Sequence, residues 1–214
     1  MTGSVFIIGA GPGIGAAVAR RFARENRPIA LLARRHETLE AVRSSVLSQV
    51  AIATVAADCS DERSLRRGLD TAVAEVGPPE VVIYNAAVIR PDRIGELTMS
   101  RILKTWAVDV GGAAIAGSHL IPTMVDNGGG SFLITGGMPT PKFDYVTLSL
   151  GKLGVRTLAR ILDAEFATQG LHVASVTISD VVAPGGRYDP DIIAEHYWSL
   201  HVQPAESWDL EVVI

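Results

Sequence analysis

Unbroken apolar runs of four to six residues recur along the chain, separated by longer stretches whose apolar positions return every three or four residues. The short runs, Val5–Ile8, Ile29–Ala33, Ala51–Ala56, Val81–Asn85, Ser131–Thr135, Val173–Ile178 and Glu211–Ile214, predict strands. The periodic stretches predict helices over Ile14–Arg24, Glu37–Ser48, Glu62–Val76, Ser100–Val125, Leu148–Gln169 and Asp191–His201. Pro78-Pro79, Asn127–Gly130 and Pro184–Gly186 read as turns between them. A strand that is apolar throughout has both faces covered. Alternating such strands with helices builds a doubly wound parallel sheet. No repeat, low-complexity tract or long linker interrupts the pattern, so residues 1–214 are expected to form one α/β domain of about seven strands.

Composition agrees, with 48% hydrophobic and 20% charged residues. A net charge of −4 makes no electrostatic case for nucleic acid or an anionic membrane. Cys59 is the one cysteine, which excludes an internal disulfide and suits a reducing compartment. The N-terminal apolar residues are accounted for as strand and loop. The expectation is therefore a cytoplasmic protein with neither signal peptide nor transmembrane span.

Val5–Ile8 runs into Gly9-Ala10-Gly11-Pro12-Gly13-Ile14-Gly15 and then Ala16–Arg24, a strand, glycine turn and helix in succession. Lacking Cβ atoms, such a turn can approach a pyrophosphate closely, and the free N–H groups at the helix start meet its charge. Glycine turns also merely connect strands to helices, but the following helix and second strand favour a dinucleotide. The second strand ends at Ala33, before Arg34-Arg35. NAD-using Rossmann proteins place an acidic side chain at this point to bind the ribose 2′-OH. Two guanidinium groups instead offer bidentate donors to a 2′-phosphate, which points to NADP(H). The pair also reads as a solvated basic start to the next helix. Asp58 can accept from the adenine amino group or cap a helix. Asn85-Ala86-Ala87 leaves room for adenosine or packs a strand against a helix.

Together these segments resemble the short-chain dehydrogenase/reductase family. Its Thr-Gly-x-x-x-Gly-x-Gly motif is matched by Ile8-Gly9-Ala10-Gly11-Pro12-Gly13-Ile14-Gly15 apart from the leading Thr. Its Asn-Asn-Ala-Gly motif becomes Tyr84-Asn85-Ala86-Ala87. The resemblance runs from Val5 to about Ser179. It implies a cofactor lying along the carboxyl ends of the strands, with Ile178 at the turn after strand six. It also implies a small-molecule substrate, and a homodimer or homotetramer packed through the two long helices.

The family's chemistry uses a Tyr that exchanges a proton with the substrate oxygen and a Lys four residues later that lowers its pKa and holds the nicotinamide ribose. A Ser orients the oxygen, and an Asn on the preceding long helix completes the proton path. By position, Lys152 matches the Lys, whereas Leu148 stands for the Tyr, Gly136-Gly137 for the Ser and Asp109 for the Asn. A positioned general acid contributes about 10²–10⁴ in rate, so Tyr-driven ketone reduction is expected to be largely lost. Tyr145, seven residues before Lys152, is about 10 Å away along a helix axis, against about 6 Å for an i,i+4 pair. It either swings its hydroxyl toward the nicotinamide or lines the pocket and caps the helix. Asp109 is a base, a partner of Lys152, or a structural helix aspartate. Ser149 faces the cleft or simply favours the helix's first turn. His196 and His201 are not spaced as i,i+4 ligands, so no metal is expected. Tyr188, Tyr197 or Trp198 is expected to border the pocket, and Val212-Val213-Ile214 to lie in a buried final strand. These readings add up to an atypical NADP(H)-dependent oxidoreductase for a small carbonyl, enone or alcohol, with non-standard proton transfer. The alternative is a catalytically degenerate member acting as a nucleotide-binding regulator, non-redox enzyme or partner subunit.

Overall fold

The computed structural model describes residues 3–47 and 49–214. Seven strands form one parallel sheet: β1 (Ser4–Ile8), β2 (Ile29–Ala33), β3 (Ile52–Ala56), β4 (Pro79–Tyr84), β5 (Gly130–Thr135), β6 (Leu171–Thr177) and β7 (Glu211–Val213). Their order is β3-β2-β1-β4-β5-β6-β7. The chain first builds outward from β1 to β3 and then resumes on the other side with β4. The reversal opens a crevice above the carboxyl ends of β1 and β4, where ligands of doubly wound sheets bind. Val5 lies beside Ile29 and Val81, the pairing of β1 with β4 shifting by one residue between Ser4 and Val5.

Side chains alternate across the sheet and make two cores. Val5 and Ile7 point toward α1 (Ile14–Ala23), α2 (His36–Ser45) and α7 (Pro190–His201), where Phe22, Leu39, Ile193 and Leu200 are buried. Phe6 and Ile8 point toward α3 (Glu62–Val76), α5 (Gly112–Asp126) and α6 (Val146–Phe166), meeting Leu65, Leu69, Leu120 and Val155. Asp61 caps α3 by accepting from Ser64 N at 2.8 Å, so Asp58 is not the cap. The expected end of the second helix at Ser48 lies outside the described residues.

The long helix expected over Ser100–Val125 is α4 (Met99–Trp106) and α5 joined by a π turn, Ala107–Gly111. Its 28 residues, Met99–Asp126, are long and apolar enough by length and composition alone to cross a membrane. Its apolarity is used on the sheet, where Ala113, Ala116, Leu120 and Met124 are buried. The helix expected from Leu148 begins two residues earlier at Val146, and its tail tightens to a 3-10 turn over Ala167–Gln169. β7 is an edge strand rather than a buried one, pairing only with β6 and leaving Val213 exposed. The segment before it is held by His172, whose ring stacks on Trp208 at 4.8 Å between the carbonyl oxygens of Leu200 and Asp209.

Candidate active site

Two cavities lie end to end along the carboxyl edge and share Gly11, Asn85 and Ala87. The first, about 280 Å³, is lined by Gly9, Arg34, Arg35, Asp58 and Ala86 among others. The second, about 560 Å³, is lined by Gly13, Ile14, Gly15, Tyr145, Leu148, Lys152 and Ile178 among others. Every residue expected to contact the cofactor therefore lies in one continuous cleft.

The glycine loop divides by what fills the space around it. Gly9 has φ +93°, and a Cβ there would lie 2.3 Å from Ala86 N, so the crossing of β1 and β4 requires glycine. A Cβ on Gly15 would lie 2.9 Å from Gly9 O, closing the loop against the start of α1. Around Gly11 and Gly13 a Cβ would meet no protein atom within 4 Å. Their bare backbone faces the cleft, a cradle that side chains would fill, beside the N–H groups that open α1. This is the shape and chemistry that a pyrophosphate requires.

At the far end, Arg34 and Arg35 are exposed on the cavity wall. Asp58 Oδ1 accepts from the Ser60 N–H at 2.8 Å and the Ser60 hydroxyl at 2.7 Å. These donors, with the positive charge of Arg34, hold its carboxyl below the usual carboxylate range. Cys59, which sequence reasoning used only to judge redox compartment, lines the same cavity. Burial pushes its thiol up to about 11, leaving it a neutral wall.

In the second cavity Lys152 is buried and donates from Nζ to Thr135 O at 2.7 Å. Burial lowers its pKa to about 8, opposed by the negative charge of Asp109. Asp109 belongs to the π turn, which rotates it inward. Its Oδ1 accepts from Val88 N at 2.7 Å, and its buried Oδ2 has no hydrogen-bond partner among the described residues. Burial raises its carboxyl to about 6. Asp109 lines neither cavity and lies against α6, where a Cβ on Gly151 would be 2.4 Å from its Oδ2. Leu148 occupies the wall one helical turn before Lys152. Gly137 has room for a side chain, since a Cβ would sit at ordinary contact, 3.6 Å, from Lys152 Cε and Ile178 O.

Tyr145 sits at the N-cap of α6, half-buried in the cavity wall. Ser149 does not face the cleft: its Oγ accepts from Lys142 N at 3.0 Å and ties down the loop after β5. The expectation for Tyr188, Tyr197 and Trp198 is corrected, because none of them lines either cavity. Trp198 packs edge-on against Phe22 at 5.4 Å and beneath the Arg21 guanidinium, while Tyr197 turns into the core. Thr135, Met138, Lys142 and Asp180 also line the second cavity and were missed. Thr135 carried a signal, as a polar residue closing the apolar run Phe132–Ile134. Among the described residues there is no cluster of metal-ligating side chains.

Comparison with known proteins places this geometry. Residues 4–187 match the family model for short chain dehydrogenase. Glucose 1-dehydrogenase of Gluconobacter oxydans is 30% identical over 188 residues, covering 84% of this chain and 70% of the relative. A 3-dehydrosphinganine reductase of Arabidopsis thaliana is 29% identical over 188 residues, 85% of this chain but 56% of its own length. Among solved structures, a short-chain dehydrogenase from Rhodopseudomonas palustris superposes with a TM-score of 0.88 at 27% identity, covering 99% of this chain and 97% of that one. A metagenomic short-chain oxidoreductase in complex with NADP gives 0.89 at 24% identity, covering 100% and 97%, a likeness of fold.

Proposed function

We propose, since this chain belongs to the short chain dehydrogenase family, that it binds NADP(H) and carries out redox chemistry on a small carbonyl, enone or alcohol with a non-standard route for the proton. The observation that carries this reading is the single cleft with two arginines at one end, bare glycine backbone in the middle and a buried lysine at the other. Arg34 and Arg35 would clamp the 2′-phosphate, and Asp58 would accept from the adenine amino group. Gly11, Gly13 and the N–H groups of α1 would hold the pyrophosphate. When bound, the nicotinamide supplies hydride transfer to or from a substrate carbon.

Leu148 and Gly137 put no hydroxyl beside Lys152, so the family's Tyr and Ser roles have no direct heirs. Lys152, with its pKa brought to about 8, is a cavity group able to exchange a proton near neutral pH. Asp109 acts through it as a positioning residue, keeping negative charge behind the ammonium. Tyr145 presents a phenol to the same cavity and is the alternative proton carrier. The other lining residues, Ile14, Ile89, Met138, Leu148 and Val182, suit an apolar substrate body. A substrate already activated toward hydride, such as a conjugated enone or a quinone, needs least from a general acid.

The missing hydroxyls also favour a second reading, nucleotide binding without turnover. For assembly we propose a homodimer or homotetramer through α4 and α6, whose Met99, Leu103, Trp106, Leu153 and Ile161 are exposed. Calorimetric titration with NADPH and NADH, for wild type and Arg34→Ala, tests the cofactor reading. NADPH is expected to bind more tightly than NADH, with the variant losing about tenfold to a hundredfold of that preference. Equal binding of both nucleotides would refute the role of the arginines. Substrate-dependent NADPH oxidation across ketones, enones and quinones separates the enzyme from the binding protein.

A further inference from the structure

Tyr197 reaches the cleft from α7, although it lines no part of it. Its side chain is fully buried, with the hydroxyl 2.6 Å from Thr135 Oγ1. The direction of each hydrogen bond follows from the far end. Gly9 O can only accept, so the Asn85 amide nitrogen faces it, at 2.8 Å. Asn85 Oδ1 then faces Thr135 at 2.9 Å and takes the threonine hydrogen. Thr135 Oγ1 must accept from Tyr197. The relay ends on a peptide that turns the glycine loop, because Gly9 O also accepts from Gly11 N at 2.8 Å. Thr135 meanwhile offers its own carbonyl to Lys152.

We propose that Tyr197 is a positioning residue for the dinucleotide. By donating to Thr135 Oγ1 it holds the threonine rotamer whose hydrogen Asn85 takes. This sets the rotamer of Asn85, shared by both cavities, and the peptide plane of Gly9. The inference rests on the reading of the cleft as an NADP(H) site. In a buried network every member is satisfied only while its neighbours hold their directions, so loss of the first donor frees the rest to reorient. Arg34 and Arg35 make no bond in the relay. A ligand in their cavity meets the relay only at the wall formed by Gly9 and Asn85, whereas NADPH also rests on the loop that Gly9 O ties to Gly11.

The test uses the full chain as wild type, Tyr197→Phe, Thr135→Val and the double variant, titrated with NADPH and with 2′-AMP, which fills the first cavity but lacks the pyrophosphate and nicotinamide. Tyr197→Phe keeps the ring in the core and removes one hydroxyl. NADPH binding is expected to weaken about three- to tenfold, the worth of one buried hydrogen bond, while 2′-AMP stays within about twofold. In the Thr135→Val background, Tyr197→Phe is expected to add no further loss of NADPH affinity, because the relay is already cut. A purely structural tyrosine would lower the melting temperature and leave the ratio of the two affinities unchanged. That result, unchanged NADPH binding, or additive losses in the double variant would each overturn the proposal. If Tyr197→Phe fails to fold, Thr135→Val alone must separate the two ligands or the proposal falls. A wild type that binds 2′-AMP but not NADPH overturns both the cofactor reading and this one. A wild type that binds both, with no separation in the variants, overturns this one alone.

Discussion

Alanine at each glycine of the loop separates what the fold needs from what the ligand needs. Gly9→Ala puts a Cβ 2.3 Å from Ala86 N on a backbone at φ +93°. The left-handed conformation costs about 1–2 kcal/mol and the overlap with immovable backbone about 1–3 kcal/mol. For a chain of this size each kcal/mol is about 2–4 °C in Tm, so Gly9→Ala is expected to melt about 4–20 °C early. Gly11→Ala and Gly13→Ala meet nothing within 4 Å, and neither glycine has a positive φ. Gly11→Ala is expected to hold stability or gain about 0.4–1 kcal/mol, because alanine restricts the unfolded chain. Gly13, at φ −88° and ψ −115°, lies outside the regions alanine favours, so Gly13→Ala is expected to lose about 1–3 kcal/mol.

Binding should invert that order. A methyl at Gly11 or Gly13 enters the space assigned to the pyrophosphate and prevents at least one charge-assisted N–H contact, worth about 1.5–3 kcal/mol or about tenfold to a hundredfold in Kd. Thermal melts and NADPH calorimetry on the three variants form one experiment. Wild-type affinity in Gly11→Ala and Gly13→Ala would refute the placement of the pyrophosphate. An unshifted melt for Gly9→Ala would refute the argument from close approach.

Asp109→Asn is expected to remove a stability loss of about 3 kcal/mol that develops as pH rises. The folded pKa of about 6 lies above the ordinary 3.8, so the native state binds the extra proton between them and stability declines across that window. His201, lowered to about 4 mainly by burial, acts oppositely below its ordinary 6.5, so the effect is read as variant minus wild type in denaturant melts from pH 3 to 7. A difference that does not grow with pH would contradict the buried-carboxylate reading. Leu148→Tyr combined with Gly137→Ser places hydroxyls one helical turn before Lys152 and where a Cβ has ordinary contact room. A gain of about 10²-fold or more in NADPH-dependent ketone reduction is expected, and no gain with cofactor still bound would mean that the pocket has diverged beyond the acid.

The strands were legible because a sheet covered on both faces leaves runs such as Val5–Ile8 and Ile29–Ala33 wholly apolar. The cleft was legible because glycine and arginine requirements at a strand end are local. The π turn was not. One extra residue per turn leaves the apolar period of Ser100–Val125 nearly unchanged, yet it decides that Asp109 points inward rather than into the cavity. The aromatic helix misled for a related reason. Tyr197 carries the apolar period of a core residue, and its polar use depends on Thr135, 62 positions away, which no local pattern encodes. The loop contact of Ser149 is likewise set by where residues after β5 return, not by helix propensity.

The buried ammonium bears most directly on whether this protein turns over substrate. Lowering the Lys152 pKa from 10.5 to about 8 corresponds to about 3 kcal/mol against the charged form. The shift is downward, so this penalty is present in full below pH 8, shrinks as pH rises and vanishes above 10.5. A scaffold that only held a nucleotide would be more stable with an apolar side chain of the same length there. Lys152→Met is therefore expected to raise stability at pH 7 by about 1–2 kcal/mol, once the lost contact to Thr135 O is allowed for, and to abolish NADPH oxidation. Melting curves, NADPH titrations and steady-state rates on that variant separate the two readings. A stabilised protein that still binds NADPH but has no activity means that the lysine is kept for chemistry, and a stabilised protein with full activity would remove Lys152 from the mechanism.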